Sequence, residues 1–369
     1  MKIITTVGTS LVTNMINPLR NRCDLSEDEE TALECFSKLQ QKEYKEKTNL
    51  QKEYGFLKDF VIDSVEFDEK TSAEIKSLIN ISKNQKFQNH YLEVIPIATD
   101  TILAPMCAEV LKVLIEENIS IEVNYSEQYI IEDLQVSVYK RYKKGLINLL
   151  NKLNSFSNEE LILNITGGFK GVIPYMTIYG QVNNIPLYYI FEFTSSLIEI
   201  PQVPLTIDYN IFERKWKTFY KVDIEEIVAK DTLNFKFLKE YENLLDIADD
   251  IVSLNPLGKI LWDRYKKDLF IFYTTDEVWQ EIHKLKNIQN ILKTKFLLTY
   301  QNKTEMKNGH RVYDDGNNPN RIFYFEENKH IYIYKAFEDH DKYEEFLNKH
   351  AYMQEFKTDY IQKSHLFKI

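Results

Sequence analysis

Apolar positions follow two regimes along the chain. Across residues 1–205, short and nearly uninterrupted apolar runs recur at 2–8 (KIITTVG), 92–99 (LEVIPIAT), 119–125 (ISIEVNY), 161–166 (LILNIT) and 185–192 (IPLYYIFE). Strands buried on both faces read this way, whereas a strand with one wet face alternates. Between the runs, apolar residues return every three or four positions, as in 105–118 (PMCAEVLKVLIEEN) and 135–154 (QVSVYKRYKKGLINLLNKLN), the spacing of amphipathic helices. Strand and helix in alternation predict a parallel α/β sheet covered on both faces. The charged stretch 25–89 interrupts the alternation and is predicted to be a helical insertion.

The rhythm changes at PQVPLTIDYN (201–210), where two prolines end the strand–helix units. Residues 212–255 read as helices, with 231–254 (DTLNFKFLKEYENLLDIADDIVSL) apolar at three- and four-residue spacing. Beyond Pro256 come a strand (LFIFYTT, 269–275), helices over 276–296, and three strand-like runs, HRVYDD (310–315), NRIFYFEE (320–327) and KHIYIYKAFE (329–338). Helices followed by a meander predict a small α+β domain with an antiparallel sheet. The polar EMK at 305–307 reads as loop. The organisation is therefore a domain over 1–205, a helical connector over 206–255 and a second domain over 256–369.

Composition narrows this picture little. With 44% hydrophobic and 28% charged residues, the chain has the make-up of a globular protein. No apolar run approaches the ~20 residues that cross a bilayer, and the N-terminus lacks a signal-peptide pattern, so a soluble cytoplasmic protein is expected. Three cysteines without a CxxC suggest neither a disulfide framework nor a zinc site, and no metal site is expected. Charge is uneven: residues 256–369 hold 19 Lys and Arg against 17 Asp and Glu, the remainder 27 against 39. The C-terminal domain is the half better suited to meet a polyanion.

Only ten glycines occur, yet three fall within 167–171, in LILNITGGFKG (161–171). A second strand ends in TTVGTSL (5–11). In an open parallel sheet the ligand crevice lies beyond the carboxyl ends of the strands. Gly8, Thr9 and Ser10 at one end, and Thr166, Gly167, Gly168 and Lys170 at the other, offer close backbone approach, hydroxyl donors and a cation, a set that suits a phosphodiester. Tight turns and helix N-caps use the same residue types. Neither segment is a G-x-G-x-x-G or G-x-x-x-x-G-K-[ST] loop.

This pair of motifs resembles the CARF domain, the CRISPR-associated Rossmann-fold sensor of type III CRISPR systems, over residues 1–205. The resemblance implies a two-fold homodimer that binds cyclic oligoadenylate, most often the tetra-adenylate, as an activator across its interface. It assigns Gly8, Thr9 and Ser10 to one ligand motif and Asn164, Thr166, Gly167, Gly168 and Lys170 to the other. Thr99 ends a neighbouring strand and is a further candidate, while Asp100 reads as a helix N-cap.

The C-terminal domain lacks the Arg-x4–6-His of HEPN ribonucleases, because none of the seven arginines stands at that spacing before a histidine. Its meander instead resembles RelE/HigB toxin ribonucleases: NRIFYF matches their arginine-bearing strand, HIYIYKAF the next strand, and EDHDKYEEF the polar segment that follows. Together the two resemblances imply a CARF–RelE fusion, an allosterically activated messenger-RNA interferase that cuts mRNA, on the ribosome in that family, without a metal cofactor. Arg321 is the expected phosphate stabiliser and Arg311 a second cationic contact, since forked guanidinium donors match phosphate oxygens. His310 or His340 would transfer protons, and Lys342 or Tyr343 would place the nucleotide or assist proton transfer. The alternating aromatics of the meander read as sheet core, and His330 as an exposed, idle turn residue. Two other readings stay open: a ligand-regulated nucleic-acid-binding module that does not cut, and a CARF protein with a metal-dependent nuclease.

Overall fold

The computed structural model describes residues 1–369 except 66, 118–122, 136–138, 158, 192–193, 195, 205 and 351–353, together with the side chains of 354 and 355. The chain forms two compact units: residues 1–207, 236–246 and 254–261 make the first, and residues 208–235, 247–253 and 262–369 the second. The segment read from sequence as a connector is thus divided between them.

The first unit runs β1 (Lys2–Val7), α1 (Ser10–Leu19), α2 (Glu27–Leu39), α3 (Gln51–Ser64), α4 (Ala73–Ser82), β2 (Leu92–Thr99), α5 (Leu103–Glu116), β3 (Val123–Tyr125), β4 (Tyr129–Ile131), α6 (Tyr139–Asn154), β5 (Leu161–Asn164), α7 (Ile173–Asn183), β6 (Leu187–Ile190) and β7 (Leu197–Ile200). The sheet order is β3-β2-β1-β5-β6-β7, with β4 continuing beside β2. All pairings are parallel except β7 on β6. Apolar runs become central strands because both faces are covered. Ile3 packs with α1, with the inserted helices α2–α4 and with α5, whereas the next residue, Ile4, packs with α6 and α7. Each such side chain, removed wholly from water, stabilises the fold by roughly 1.5–3 kcal/mol. Residues 119–122 of the expected strand at 119–125, residues 136–138 of the expected helix at 135–154, residue 118 at the end of the expected helix at 105–118, residue 192 at the end of the expected strand at 185–192, and residue 205 lie outside the described residues.

The next segment forms α8 (Asn210–Glu213), α9 (Trp216–Glu225), β8 (Val228–Ala229), α10 (Phe235–Glu240), β9 (Leu245–Ala248), β10 (Ile251–Leu254) and α11 (Pro256–Lys266). The helix expected over 231–254 therefore stops after one short piece. Asp249 takes a left-handed φ of 49°, which breaks the helical repeat and turns β9 into β10.

The second unit continues with β11 (Ile271–Thr274), α12 (Asp276–Ile282), α13 (Lys286–Thr294), α14 (Phe296–Thr299), β12 (Thr304–Lys307), β13 (His310–Asp314), β14 (Arg321–Glu327), β15 (His330–Phe337), α15 (His340–Lys349), α16 (Gln354–Lys363) and β16 (His365–Lys368). Its sheet order is β12-β13-β14-β15-β11-β16. The meander β12 to β15 is antiparallel, as the alternation predicted, while β11 joins β15 in parallel. The EMK stretch is strand β12 rather than loop, since Glu305 and Met306 pair with Val312 and Arg311. Helices α12–α14 cover one face around Phe272, Tyr313 and Tyr324; α15 and α16 cover the other around Phe323, Phe325 and Tyr343. Among the described residues no helix is long and apolar enough to cross a membrane.

Candidate functional site

Strand β1 has β2 on one side and β5 on the other. The chain leaves β1 for its helices on one face and returns through β5 to those on the other, so the carboxyl ends of β1 and β5 flank a topological switch point, where doubly wound sheets hold ligands. Both glycine segments end there. A Cβ on Gly8 would stand 3.1 Å from the Gly168 Cα, and one on Gly168 only 2.6 Å from the Thr6 Cβ. Gly168 also has a φ of +87°. Close approach and a left-handed backbone both require glycine at 168.

The seat between these strand ends is filled from within. Glu74, in the first turn of α4 and 2% exposed, accepts from the Gly8 amide through Oε1 (3.0 Å) and from the Ser10 hydroxyl through Oε2 (2.9 Å). A Cβ on Gly167 would fall 2.4 Å from Glu74 Oε1, so that glycine makes room for the carboxylate. A carboxylate at the start of α1 meets unpaired amides and the positive end of the helix dipole, as a phosphate would. Sequence reasoning missed Glu74, which lies in the charged insertion and carries no local signal.

The other residues expected at this site divide by role. Asn164 is fully buried: its Nδ2 donates to Ser77 Oγ (2.7 Å), and its Oδ1 accepts from the Thr166 hydroxyl (2.8 Å). The Thr166 hydroxyl in turn accepts from the Ile190 amide (3.1 Å). These two side chains are spent on each other and on neighbouring groups, and hold the end of β5 in shape. Thr9 is half-buried, with no cap made by its side chain, and Lys170 is exposed on the short turn Lys170–Val172, so both keep polar groups at the rim. Thr99 ends β2 one residue beyond the Val7–Ala98 pairing and contacts Thr101 Oγ1 at 3.2 Å. Asp100 is not an N-cap, because α5 starts at Leu103; it accepts from the Asp133 amide at 3.0 Å and lies 3.4 Å from Arg141. Arg141 also binds Glu43 and Asp133, and hydrogen bonds from Lys45 first and from Arg141 second pull the Glu43 carboxyl pKa down to about 2.

In the second unit the expected catalytic residues do not converge. His310 is 3% exposed, with Nδ1 2.8 Å from the Tyr334 hydroxyl and Nε2 2.8 Å from the His350 carbonyl, so it is a core histidine away from solvent. Arg321 pairs with Asp314 at 2.9 Å, donates to the carbonyls of Asn318 (2.6 Å) and Asn320 (2.9 Å), and lies over the Tyr343 ring. It clamps the loop between β13 and β14. Tyr343 is buried on the inner face of α15, while His340 and Lys342 are exposed on that helix. Arg311 lies over the Tyr324 ring, on the face of α12–α14, and 3.6 Å from Glu326. Arg311 and Arg321 therefore point to opposite faces of one sheet and cannot clamp a common phosphate.

A different set does converge. A cleft of about 400 Å³ is lined by Lys217, Tyr220 and Lys221 of α9 and by Tyr273, His330 and His365 from three strands. His330, expected to be idle, is half-buried, its Nδ1 3.3 Å from the Tyr220 hydroxyl and its ring edge-on to Tyr273 at 4.9 Å. Burial pushes the His330 pKa below the usual histidine value and the Tyr220 and Tyr273 phenols upward. Among the described residues no group of three or more His, Cys, Asp or Glu side chains is arranged to hold a metal.

No curated protein matches the chain. Residues 69–203, which run from just before α4 through β7 and so include Glu74 and the glycines after β5, match the family model described as CRISPR-associated protein (Cas_APE2256). These findings give a glycine-lined seat at the switch point of a parallel sheet, within a region similar to a CRISPR-associated family.

Proposed function

We propose that the first unit senses a cyclic oligoadenylate and that its binding activates RNA cleavage by the second. The observation that carries the reading is the convergence of Gly8, Gly167 and Gly168 at the carboxyl ends of two central strands with Thr9 and Lys170 at the rim, in a chain with a CRISPR-associated family match. Backbone amides and a lysine suit the phosphodiesters of such a ring, and cyclic tetra-adenylate is the activator that the CARF resemblance favours. The Glu74 carboxylate takes the donors that a ligand phosphate needs, so the ligand displaces it or docks on the rim beside it. A homodimer around the ring and messenger RNA as substrate come from the same resemblances.

RNA cleavage needs no bound cofactor when the 2′-hydroxyl is the nucleophile: the protein orients the strand, moves protons and offsets charge on the phosphorane. The test is cleavage of a defined messenger RNA, with and without translating ribosomes, in EDTA or magnesium, each with and without cyclic tetra-adenylate. Cuts that appear only with ligand and persist in EDTA are expected. Equal cutting with and without ligand refutes activation, and binding without cutting favours the non-cutting module.

A further inference from the structure

We infer that the cleft between α9 and the strand residues Tyr273, His330 and His365 receives a phosphodiester of single-stranded RNA, with Lys217 and Lys221 holding the phosphate and the two histidines exchanging protons with it. The cleavage half of this rests on the ribonuclease reading above; the binding half does not.

Four observations converge. The α9 residues Lys217, Tyr220, Lys221 and Ile224 recur at i, i+3, i+4 and i+7, so one helix face forms one wall of the cleft. Most lysines nearby are neutralised: Lys266 by Asp223 and Asp263, Lys368 by Glu213, Lys357 by Glu327. By contrast, Lys217 and Lys221 have no carboxylate within salt-bridge distance among the described residues. Lys217 lies over the Trp216 ring, and Lys221 approaches only Thr232 Oγ1, at 3.4 Å. Two cations on one wall of a cleft are a phosphate contact in waiting.

The opposite wall supplies acid–base groups and a stacking surface. The Tyr220 hydroxyl engages Nδ1 of His330 and Tyr273 packs edge-on against the ring, which leaves Nε2 without a hydrogen-bond partner among the described residues. In the tautomer that acts as a base, Nδ1–H donates to the Tyr220 oxygen and Nε2 carries the lone pair. Burial keeps His330 neutral near pH 7, the form a general base needs, although Glu225 at the lip opposes that shift. His365 is exposed at the start of β16, beside Ser364. Tyr273 stacks on Tyr332 at 4.9 Å and extends an aromatic surface toward the cleft, and bases of single-stranded RNA stack on such surfaces. The volume falls within the roughly 300–1,000 Å³ of small-ligand sites, room for one nucleotide.

The reaction balances without another reagent. His330 Nε2 takes the proton of the 2′-hydroxyl as O2′ attacks phosphorus. The bond from phosphorus to O5′ breaks, and protonated His365 gives its proton to O5′, while the lysines offset charge on the non-bridging oxygens. The products are a 2′,3′-cyclic phosphate and a 5′-hydroxyl.

The experiment uses the full chain with cyclic tetra-adenylate, a labelled single-stranded RNA and its uncleavable 2′-O-methyl counterpart. In K217A/K221A, affinity for the 2′-O-methyl RNA drops and the salt slope falls by about 1 per lysine. In H330Q, cleavage falls about 100-fold or more and its pH profile loses a limb, with affinity for the 2′-O-methyl RNA retained. H365Q, altered at an exposed position, reports the acid without disturbing the core. Unchanged affinity in the lysine variant overturns the proposal, as does cutting that survives both histidine variants. If the unaltered protein binds RNA through these lysines but never cuts, the ribonuclease reading fails and the cleft stands as an RNA-binding site.

Discussion

The two units hold their candidate chemistry in opposite states. In the first, residues from two strand ends 160 positions apart meet as their motifs implied, and a carboxylate of the same chain already takes the donors. In the second, the motif-bearing arginines lie on opposite faces of a sheet, while two histidines line an open cleft together with two lysines that have no carboxylate partner among the described residues. A motif located by backbone requirements, such as glycine at a positive φ, survives transfer to three dimensions because the backbone itself is the constraint. A motif located by side-chain type does not, since one residue of shift along a strand reverses the face it serves.

The strongest way to break this contrast is Arg321→Ala. If Arg321 clamps the loop, its loss leaves Asp314 unpaired in a largely buried place and costs about 3 kcal/mol in urea unfolding. Abolished cutting at unchanged stability would instead return Arg321 to the catalytic set. Next come two glycines with left-handed φ, Gly168 at +87° and Gly316 at +105°. Alanine at 168 meets Thr6, whereas nothing lies within 4 Å of a Cβ at 316. We expect losses of about 3 and about 1 kcal/mol respectively, read as midpoint shifts. Equal losses would show that backbone strain alone, not crowding at the seat, decides the cost.

Glu74→Ala sharpens the comparison further. It strands the Gly8 amide and Ser10 hydroxyl, and should lower the stability of the ligand-free protein by about 1–3 kcal/mol. Added cyclic tetra-adenylate should restore part of that loss if the seat is the ligand's, and none if it is purely structural. The smallest effect concerns pH. The His330 pKa is held below its usual 6.5 in the folded protein, so the unfolded chain takes up its proton first as pH falls. Stability from this group is full above about pH 6.5 and declines below it, and H330Q should flatten that part of the profile.

Much of the first unit was legible because buried parallel strands are written as apolar runs, and the switch point follows from their order. Glu74 was not: a lone glutamate in a charged insertion resembles every other surface acid until α4 brings it to the glycines. The β9–β10 hairpin hid behind a helix-like spacing because Ile247, Ile251 and Val252 satisfy either repeat, and only the turn at Asp249 decides between them. His330 follows Asn328 and Lys329, both at positive φ, a turn signature that implied exposure. Tyr220 lies 110 positions upstream of it, beyond the reach of any local pattern.

The insertion that carries Glu74 gives the first unit a tethered competitor. An ion in solution must outbid a carboxylate whose effective concentration at the seat is set by the fold, so stray phosphate or a single mononucleotide gains little there. If the seat takes a cyclic oligoadenylate, as proposed above, a ring that presents several phosphates at once can add rim contacts to the exchange at the seat, and that threshold would separate it from the ordinary anions of a cell.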